Sequence, residues 1–272
     1  MHNFKHAEPI CRRAASDAVA CARGTVHETK RSESRSVIMN EMPQRQYVLE
    51  PAAVPTLAVA GGEALFPIHR IYCVGRNFAD HAIEMGHDPD KEPPFFFQKN
   101  PDTIVPMGQD FPYPSASNDV HHEIELVVAL SKGGTDIPLE NALDCVYGYA
   151  VGLDMTRRDL QGEAKKAGRP WETGKAFEAS APCGPLHPVS AIGHPTQGAV
   201  WLKVNGETRQ AGDLNQMIWK VPEMISYLSR LFELKAGDLI FAGTPAGVGA
   251  VTRGDEMVGH IAGVDDIRFR VS

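Results

Sequence analysis

From Leu57 onward the apolar residues fall into short runs broken by glycine, proline or Asn-Gly, the rhythm of strands and turns. Leu57 to Ala60, Gly61-Gly62 and Leu65 to Ile68 predict a β-hairpin. A β-rich run from Arg70 to Val74 stops at Gly75, Phe78 to Met85 predicts a helix, and Pro93-Pro94 precedes a strand at Phe95-Phe96-Phe97. Trp201 to Thr208 alternates around Asn205-Gly206, the strongest hairpin signal in the chain. Pro222 opens a helix whose apolar residues Met224, Ile225, Leu228, Leu231 and Phe232 recur at i, i+1, i+4, i+7 and i+8. A strand resumes at Leu239 to Ala242. Many short strands with a few short helices predict a mostly β (α+β) fold with a sandwich or barrel-like core, not an alternating βαβ sheet.

Residues 1 to about 45 break the rhythm: they are rich in Arg, Ser, Ala and Glu and poor in large apolar side chains. Such a segment cannot bury enough surface to offset the entropy of ordering, so it is expected to be a disordered extension, with Met39 or Met42 as an alternative start. Glu8, Asp17, Glu28 and Glu33 argue against an organelle transit peptide. Residues 46–272 are expected to form a single catalytic domain.

Composition narrows the function. With 43% hydrophobic residues in 272 the chain can bury a core. A net charge of −7 and no basic stripe interleaved with aromatics argue against a nucleic-acid partner. No apolar window is long enough for a membrane span, and five cysteines without a C-x-x-C pair indicate neither disulfide framework nor zinc knuckle. A cytoplasmic location is expected.

The candidate chemistry starts at HHEIELVVAL, residues 121 to 130. In a strand, Glu123 and Glu125 share a face, and two like charges there call for something positive between them. An isolated E-x-E is more often a solvated edge. Here the strand continues into a run that must be buried on both faces, and a third acid, Asp154, follows the apolar run Tyr149 to Leu153. Three carboxylates at the ends of core strands predict a hard, oxygen-only cation site suited to Mg²⁺, with Mn²⁺ as substitute. His121 shares the parity of the glutamates, but no H-x-H-x₃-E pattern is present, and His121 and His122 are expected to support or pack. Upstream, in CVGRNFADHAIEMG (73 to 86), His81 and Glu84 are spaced i, i+3 on one helical face, the arrangement of a carboxylate-oriented general base. The lone Gly75 does not make a dinucleotide loop.

Across about residues 57 to 272 the chain resembles the fumarylacetoacetate hydrolase family. The resemblance is carried by YCVGRNFADH (72 to 81), HHEIELVVAL (121 to 130), GYAVGLDMTRRDLQ (148 to 161), GKAF (174 to 177), WLKVNGETRQ (201 to 210) and FAGTPAGVG (241 to 249). EPPFFFQKN (92 to 100) and DMTRRDLQGEAKKAGRPW (154 to 171) are similar to its fumarylpyruvate-cleaving branch. The resemblance implies a mixed β-sandwich roll, a homodimer, metal ligands at Glu123, Glu125 and Asp154, and a catalytic dyad at His81 and Glu84. It also implies Lys175 and Gln161 at the reacting oxygens, and the Gly243-Thr244-Pro245 loop at a substrate carboxylate. Arg76, Arg158 and Arg169 are candidates for a second, remote carboxylate. Asn100 and Asp265 depart from the family's usual Pro and Gly at those places.

The implied activity is hydrolysis of a C–C bond in a 2,4-dioxo acid, fumarylpyruvate giving fumarate and pyruvate as in gentisate breakdown. An acylpyruvase or oxaloacetate decarboxylase would use the same site, and a non-catalytic cation-holding β-sandwich is the alternative of another class. The small and polar run Met85 to Asp90, on the segment that carries His81 and Glu84, suggests a lid across residues 78 to 92 that orders over substrate.

Overall fold

The run Leu126 to Leu130 has no polar side, so a strand there must be covered on both faces. In the computed structural model, which describes residues 46–79 and 93–272, it forms the strand Ile124–Leu130, buried at every position. That strand lies inside an eight-stranded sheet. The order is Phe95–Lys99, Ile71–Gly75, Leu239–Phe241, Ile124–Leu130, Val146–Leu153, Ala181–Cys183 and Ile104–Pro106, and His187–Pro188 also pairs with Val146–Leu153. Leu239–Phe241 runs parallel to Ile71–Gly75, and Ala181–Cys183 parallel to Ile104–Pro106; the other pairings are antiparallel. The sheet is therefore mixed.

Strand alternation divides its side chains between two cores. On one face Tyr72, Val74, Leu126, Val128, Val151, Leu153 and Ile240 meet Leu202, Met257, Ile267 and Phe269, together with Met224, Ile225 and Leu228 of the helix Val221–Leu231. Leu202, Met257, Ile267 and Phe269 come from a second, four-stranded sheet ordered Glu207–Asp213, Ala199–Val204, Glu256–Ile261, Asp265–Arg270. On the other face Ile71, Cys73, Val127, Ala129, Ala150, Leu239 and Phe241 pack with Leu57 and Phe66 of the hairpin formed by Thr56–Ala58 and Leu65–Pro67. Each large side chain so buried contributes roughly 1.5–3 kcal/mol relative to exposure. The mostly β sandwich with few, short helices expected from the sequence is what forms.

Local expectations hold to different degrees. Asn205 and Gly206 make a two-residue turn between paired Val204 and Glu207, both at positive φ (52° and 84°), as a type I′ hairpin requires. The Gly61-Gly62 hairpin is looser: Ala58 pairs with Leu65, and the Val59 N–H donates to the Ala64 carbonyl, so the loop is wider than the two glycines. The predicted apolar helix stripe ends early, because Leu231 (56% exposed) and Phe232 (38%) sit at the helix terminus. The helix expected from Phe78 to Met85 and the lid expected from Phe78 to Glu92 lie, from residue 80 on, outside the described residues, as does the extension up to residue 45. Among the described residues no helix is long and apolar enough to cross a membrane.

Candidate active site

The HHEIEL segment is not one strand. Val120–His122 belongs to a three-stranded sheet with Gly249–Val251 and Thr156–Arg157, Ile124–Leu130 belongs to the large sheet, and Glu123 is the residue between them. The switch breaks the parity that would have put His121 beside the glutamates. His121 Nε2 instead lies 2.8 Å from Asp119 Oδ1, and buried His122 turns Nδ1 to Gln210 Oε1 at 2.9 Å. Burial lowers the proton affinity of both rings. The acids converge all the same. Glu123, Glu125 and Asp154 are buried and bring carboxylate oxygens within 4.8 Å of one another. Asp154 is placed by its own N–H, which donates to the Glu123 carbonyl at 2.8 Å. Opposite Glu125 is Gly152, where a Cβ would stand 2.6 Å from Val127 Cγ2 and 2.8 Å from Phe241 Cε1, so only glycine lets the strands close beside the carboxylate.

Two buried lysines, Lys175 and Lys99, and the part-buried Arg158 face the triad. Lys175 Nζ donates to Glu123 Oε2 (2.8 Å) and Asp154 Oδ2 (2.6 Å), and Arg158 Nη2 donates to Glu123 Oε1 (2.5 Å). Burial opposes the charge on Lys175, but Asp154 and Glu123 outweigh it and hold its pKa above the ordinary lysine value. Lys99 Nζ lies 2.8 Å from Asp154 Oδ1, at ion-pair distance but outside hydrogen-bond geometry, so that buried oxygen keeps an unsatisfied lone pair. Lys99 donates to the carbonyls of Met155 and Lys175 instead. Glu125 is poorly compensated: burial first, then Asp154 and Glu123, push its pKa well above the carboxylate range, against the pull of Lys175 and of the Gly243 N–H that donates to Oε2 at 2.8 Å. An oxygen-only donor set with an orphaned buried oxygen and one under-compensated carboxylate fits a hard divalent cation.

Two walls complete the pocket. The helix Arg158–Lys166 turns Arg158, Gln161 and Lys165 to one face at i, i+3 and i+7, and all three line the pocket. Arg158 Nη1 donates to Gln161 Oε1 at 2.8 Å, which fixes the side-chain amide in the pocket wall. On the other side runs the Gly243-Thr244-Pro245 loop, just past Leu239–Phe241. Gly243 needs φ +92°, and its N–H is already engaged by Glu125, so it shapes the loop. Buried Gln210 fixes the next residues: its Nε2 donates to Thr244 Oγ1 and to the Pro245 carbonyl, each at 2.8 Å, while its Oε1 accepts from the Ile124 N–H at 3.1 Å. Buried Asn77 ties the end of Ile71–Gly75 to the same loop, donating to the carbonyls of Ala242 (2.7 Å) and Trp219 (2.9 Å). Arg76, at φ 56°, turns its guanidinium to within 5.1 Å of the Phe95 ring centroid.

Of the residues singled out from sequence, Glu123, Glu125, Asp154, Lys175, Gln161, Thr244, Gly243, Arg76 and Arg158 all line this pocket. Arg169 does not; it lines a separate cleft with Leu160, Glu163 and Pro170. Arg158 pairs with Glu123, not with its neighbour Asp159, which accepts from Ser117 and the Asn118 N–H. His81 and Glu84 lie outside the described residues. Sequence reasoning missed Lys99, Lys165, Trp171, Asn77 and Gln210. Lys165 was discoverable, since it continues the Arg158 and Gln161 helical face; Gln210 closes the motif WLKVNGETRQ, but no residue spacing shows that it reaches in from the second sheet.

The comparisons with known proteins agree with this arrangement. A family model described as Fumarylacetoacetate (FAA) hydrolase C-terminal matches residues 70–272. A fumarylpyruvate hydrolase of Ralstonia sp is 44% identical over 189 residues, covering 69% of this chain and 98% of the relative. A mitochondrial oxaloacetate tautomerase of Rattus norvegicus is 45% identical over 201 residues, 74% of this chain and 90% of the relative. The crystal structure of a fumarylpyruvate hydrolase from Pseudomonas aeruginosa, in complex with Mn²⁺ and pyruvate, superposes with a TM-score of 0.82. It shares 55% identity, covering 83% of this chain and 99% of that one. The chain belongs to the fumarylacetoacetate hydrolase family.

Proposed function

We propose that this chain is a metal-dependent hydrolase that cleaves fumarylpyruvate to fumarate and pyruvate, with Glu123, Glu125 and Asp154 holding Mg²⁺ or Mn²⁺. The observation that carries the reading is the buried, oxygen-only triad with Lys175 bridging two of its members inside a pocket walled by cations. The identity to the Ralstonia and Pseudomonas enzymes supports the choice of substrate. A bound divalent ion supplies Lewis acidity toward charge developing on the pyruvyl oxygens.

The chain's own groups do the rest. Thr244 accepts from Gln210, so its hydroxyl proton is left to donate to the substrate's 1-carboxylate. Lys175 spends two of its three N–H donors on acids, leaving one for a keto oxygen, and the Gln161 amide donates from the opposite wall. Such donors, aimed at oxygens that gain charge in the transition state, typically contribute a few kcal/mol, or about 10²-fold in rate each. His81, oriented by Glu84, is proposed to take a proton from water, whose oxygen adds to C4. The C3–C4 bond then breaks, its electron pair passing into the enolate of pyruvate while C4 becomes a fumarate carboxylate; protonation at C3 completes pyruvate. The expected homodimer belongs to the same proposal, and light scattering tests it: a lone 29.6 kDa species would overturn it.

The test is to incubate the protein with Mg²⁺ or Mn²⁺ and fumarylpyruvate, and to follow loss of the enol absorbance with quantitation of pyruvate. Metal-dependent turnover is expected. A second reading, keto-enol proton transfer on oxaloacetate, is favoured by the 45% identity to the Rattus tautomerase. Oxaloacetate interconversion without fumarylpyruvate cleavage would replace the hydrolase reading, and cation-dependent thermal stabilisation without either activity would leave only a binding module.

A further inference from the structure

One cation of the pocket, Lys165, has no ion-pair partner among the described residues. It is half-buried. Its Nζ lies 4.9 Å from the centroid of the Trp171 ring. Trp171 is itself fixed edge-on to Phe95 (5.3 Å, 89°) and tilted against Phe97 (5.8 Å), so the ammonium is held at the end of an aromatic wall. Burial is the main reason its pKa falls to about 8; Arg158, Arg76 and Lys175 add to the fall and Glu123 opposes it, so the cations around it outweigh the acid. Its neighbour Lys166 is simply exposed, and Arg169 faces another cleft.

Position gives this cation a use. Arg158, Gln161 and Lys165 share one helix face, and seven residues at about 1.5 Å each place Lys165 roughly 10 Å along the axis from the arginine that holds Glu123. Fumarylpyruvate carries carboxylates at both ends, separated by six bonds of ordinary length, or roughly 7–8 Å. Between them lies a flat, conjugated segment that suits the faces of Phe95 and Trp171. A carboxylate arriving beside Lys165 would meet the charge it lacks.

We propose that Lys165, with the Trp171–Phe95 wall, forms the subsite for the remote carboxylate of a dicarboxylic 2,4-dioxo acid and thereby sets the preference for such substrates over neutral acylpyruvates. The inference rests on the hydrolase reading for its substrate, but the subsite itself is a claim about anion binding.

The test compares fumarylpyruvate with acetylpyruvate, which lacks the remote carboxylate, on the wild type, Lys165→Met and Lys165→Arg. Methionine keeps the apolar stem and removes the charge. The ratio of the two kcat/KM values should fall at least tenfold in Lys165→Met, mainly through KM for fumarylpyruvate, and should largely return in Lys165→Arg. An unchanged ratio, including an equal fall for both substrates, overturns the proposal. Calorimetric titration with Mg²⁺ and oxalate present separates the two claims. Fumarate should bind the wild type about tenfold or more tighter than crotonate, its monocarboxylate counterpart, and Lys165→Met should lose the difference. A wild type that fails to cleave fumarylpyruvate yet keeps a Lys165-dependent preference for fumarate refutes the hydrolase and retains the subsite. Cleavage with no Lys165-dependent preference does the reverse.

Discussion

Replacing Gln210 with methionine, which keeps the length of the side chain and deletes its polar head, tests whether one amide couples the acid-bearing strand to the substrate loop. Gln210 is fully buried, accepts from the Ile124 N–H, meets His122 Nδ1, and donates to Thr244 Oγ1 and the Pro245 carbonyl. In the variant the threonine hydroxyl and the imidazole can seek other partners by rotation, but the two backbone groups cannot. Each buried polar group left unsatisfied costs roughly 1–3 kcal/mol, so the loss should be about 4 kcal/mol. For a domain of this size 1 kcal/mol corresponds to ~2–4 °C, so Tm should fall by about 10 °C. Urea unfolding gives the free energy, and steady-state kinetics at a temperature where both proteins are folded gives the function. KM should rise severalfold with a smaller change in kcat, because Thr244 loses its support while the acids keep theirs. A loss of stability under ~1 kcal/mol, or an unaltered KM, would refute the argument that this amide joins the two halves of the pocket.

Three further outcomes follow from the geometry. Glu125→Gln in metal-free protein should raise Tm, because Glu125 is held above the carboxylate range by burial, Asp154 and Glu123, and a glutamine mimics its neutral form; the same variant should lose the Tm increase that Mg²⁺ or Mn²⁺ gives the wild type, and a lower metal-free Tm would contradict this. As pH rises through about 8, Lys165 passes from charged to neutral, so the preference for fumarylpyruvate over acetylpyruvate should decline; burial, Arg158, Arg76 and Lys175 favour the neutral form and Glu123 opposes it, and a pH-independent ratio would count against the charge of Lys165. Gly75→Ala should displace Phe95, since a Cβ there would stand 2.0 Å from Phe95 Cζ; a stability cost of roughly 1–3 kcal/mol and a fall in kcat/KM are expected, and unperturbed kinetics would show that Phe95 does not line the working pocket.

The sequence disclosed most where one strong local rule operates. A doubly buried run, an Asn-Gly turn and a proline-opened amphipathic helix each appear as Ile124–Leu130, the Asn205-Gly206 hairpin and Val221–Leu231. The clustering of Glu123, Glu125 and Asp154 was legible because each stands at the edge of an apolar strand run. The sheet switch at Glu123 was not, since His121 and His122 carry no mark that the chain changes sheets between them and Ile124. Contacts that cross between sheets, such as Gln210 to Thr244 or Asn77 to the carbonyl of Ala242, depend on tertiary packing that no residue spacing encodes.

The strand Leu239–Phe241 has an implication for synthesis. It is wedged between Ile71–Gly75 and Ile124–Leu130, the first parallel to it and the second antiparallel, and Gly243 just beyond it holds Glu125. Until that stretch has left the ribosome, both neighbouring strands expose unpaired edges and Glu125 lacks the Gly243 N–H that binds it. A nascent chain halted before residue 239 is thus expected to be an open sheet prone to association.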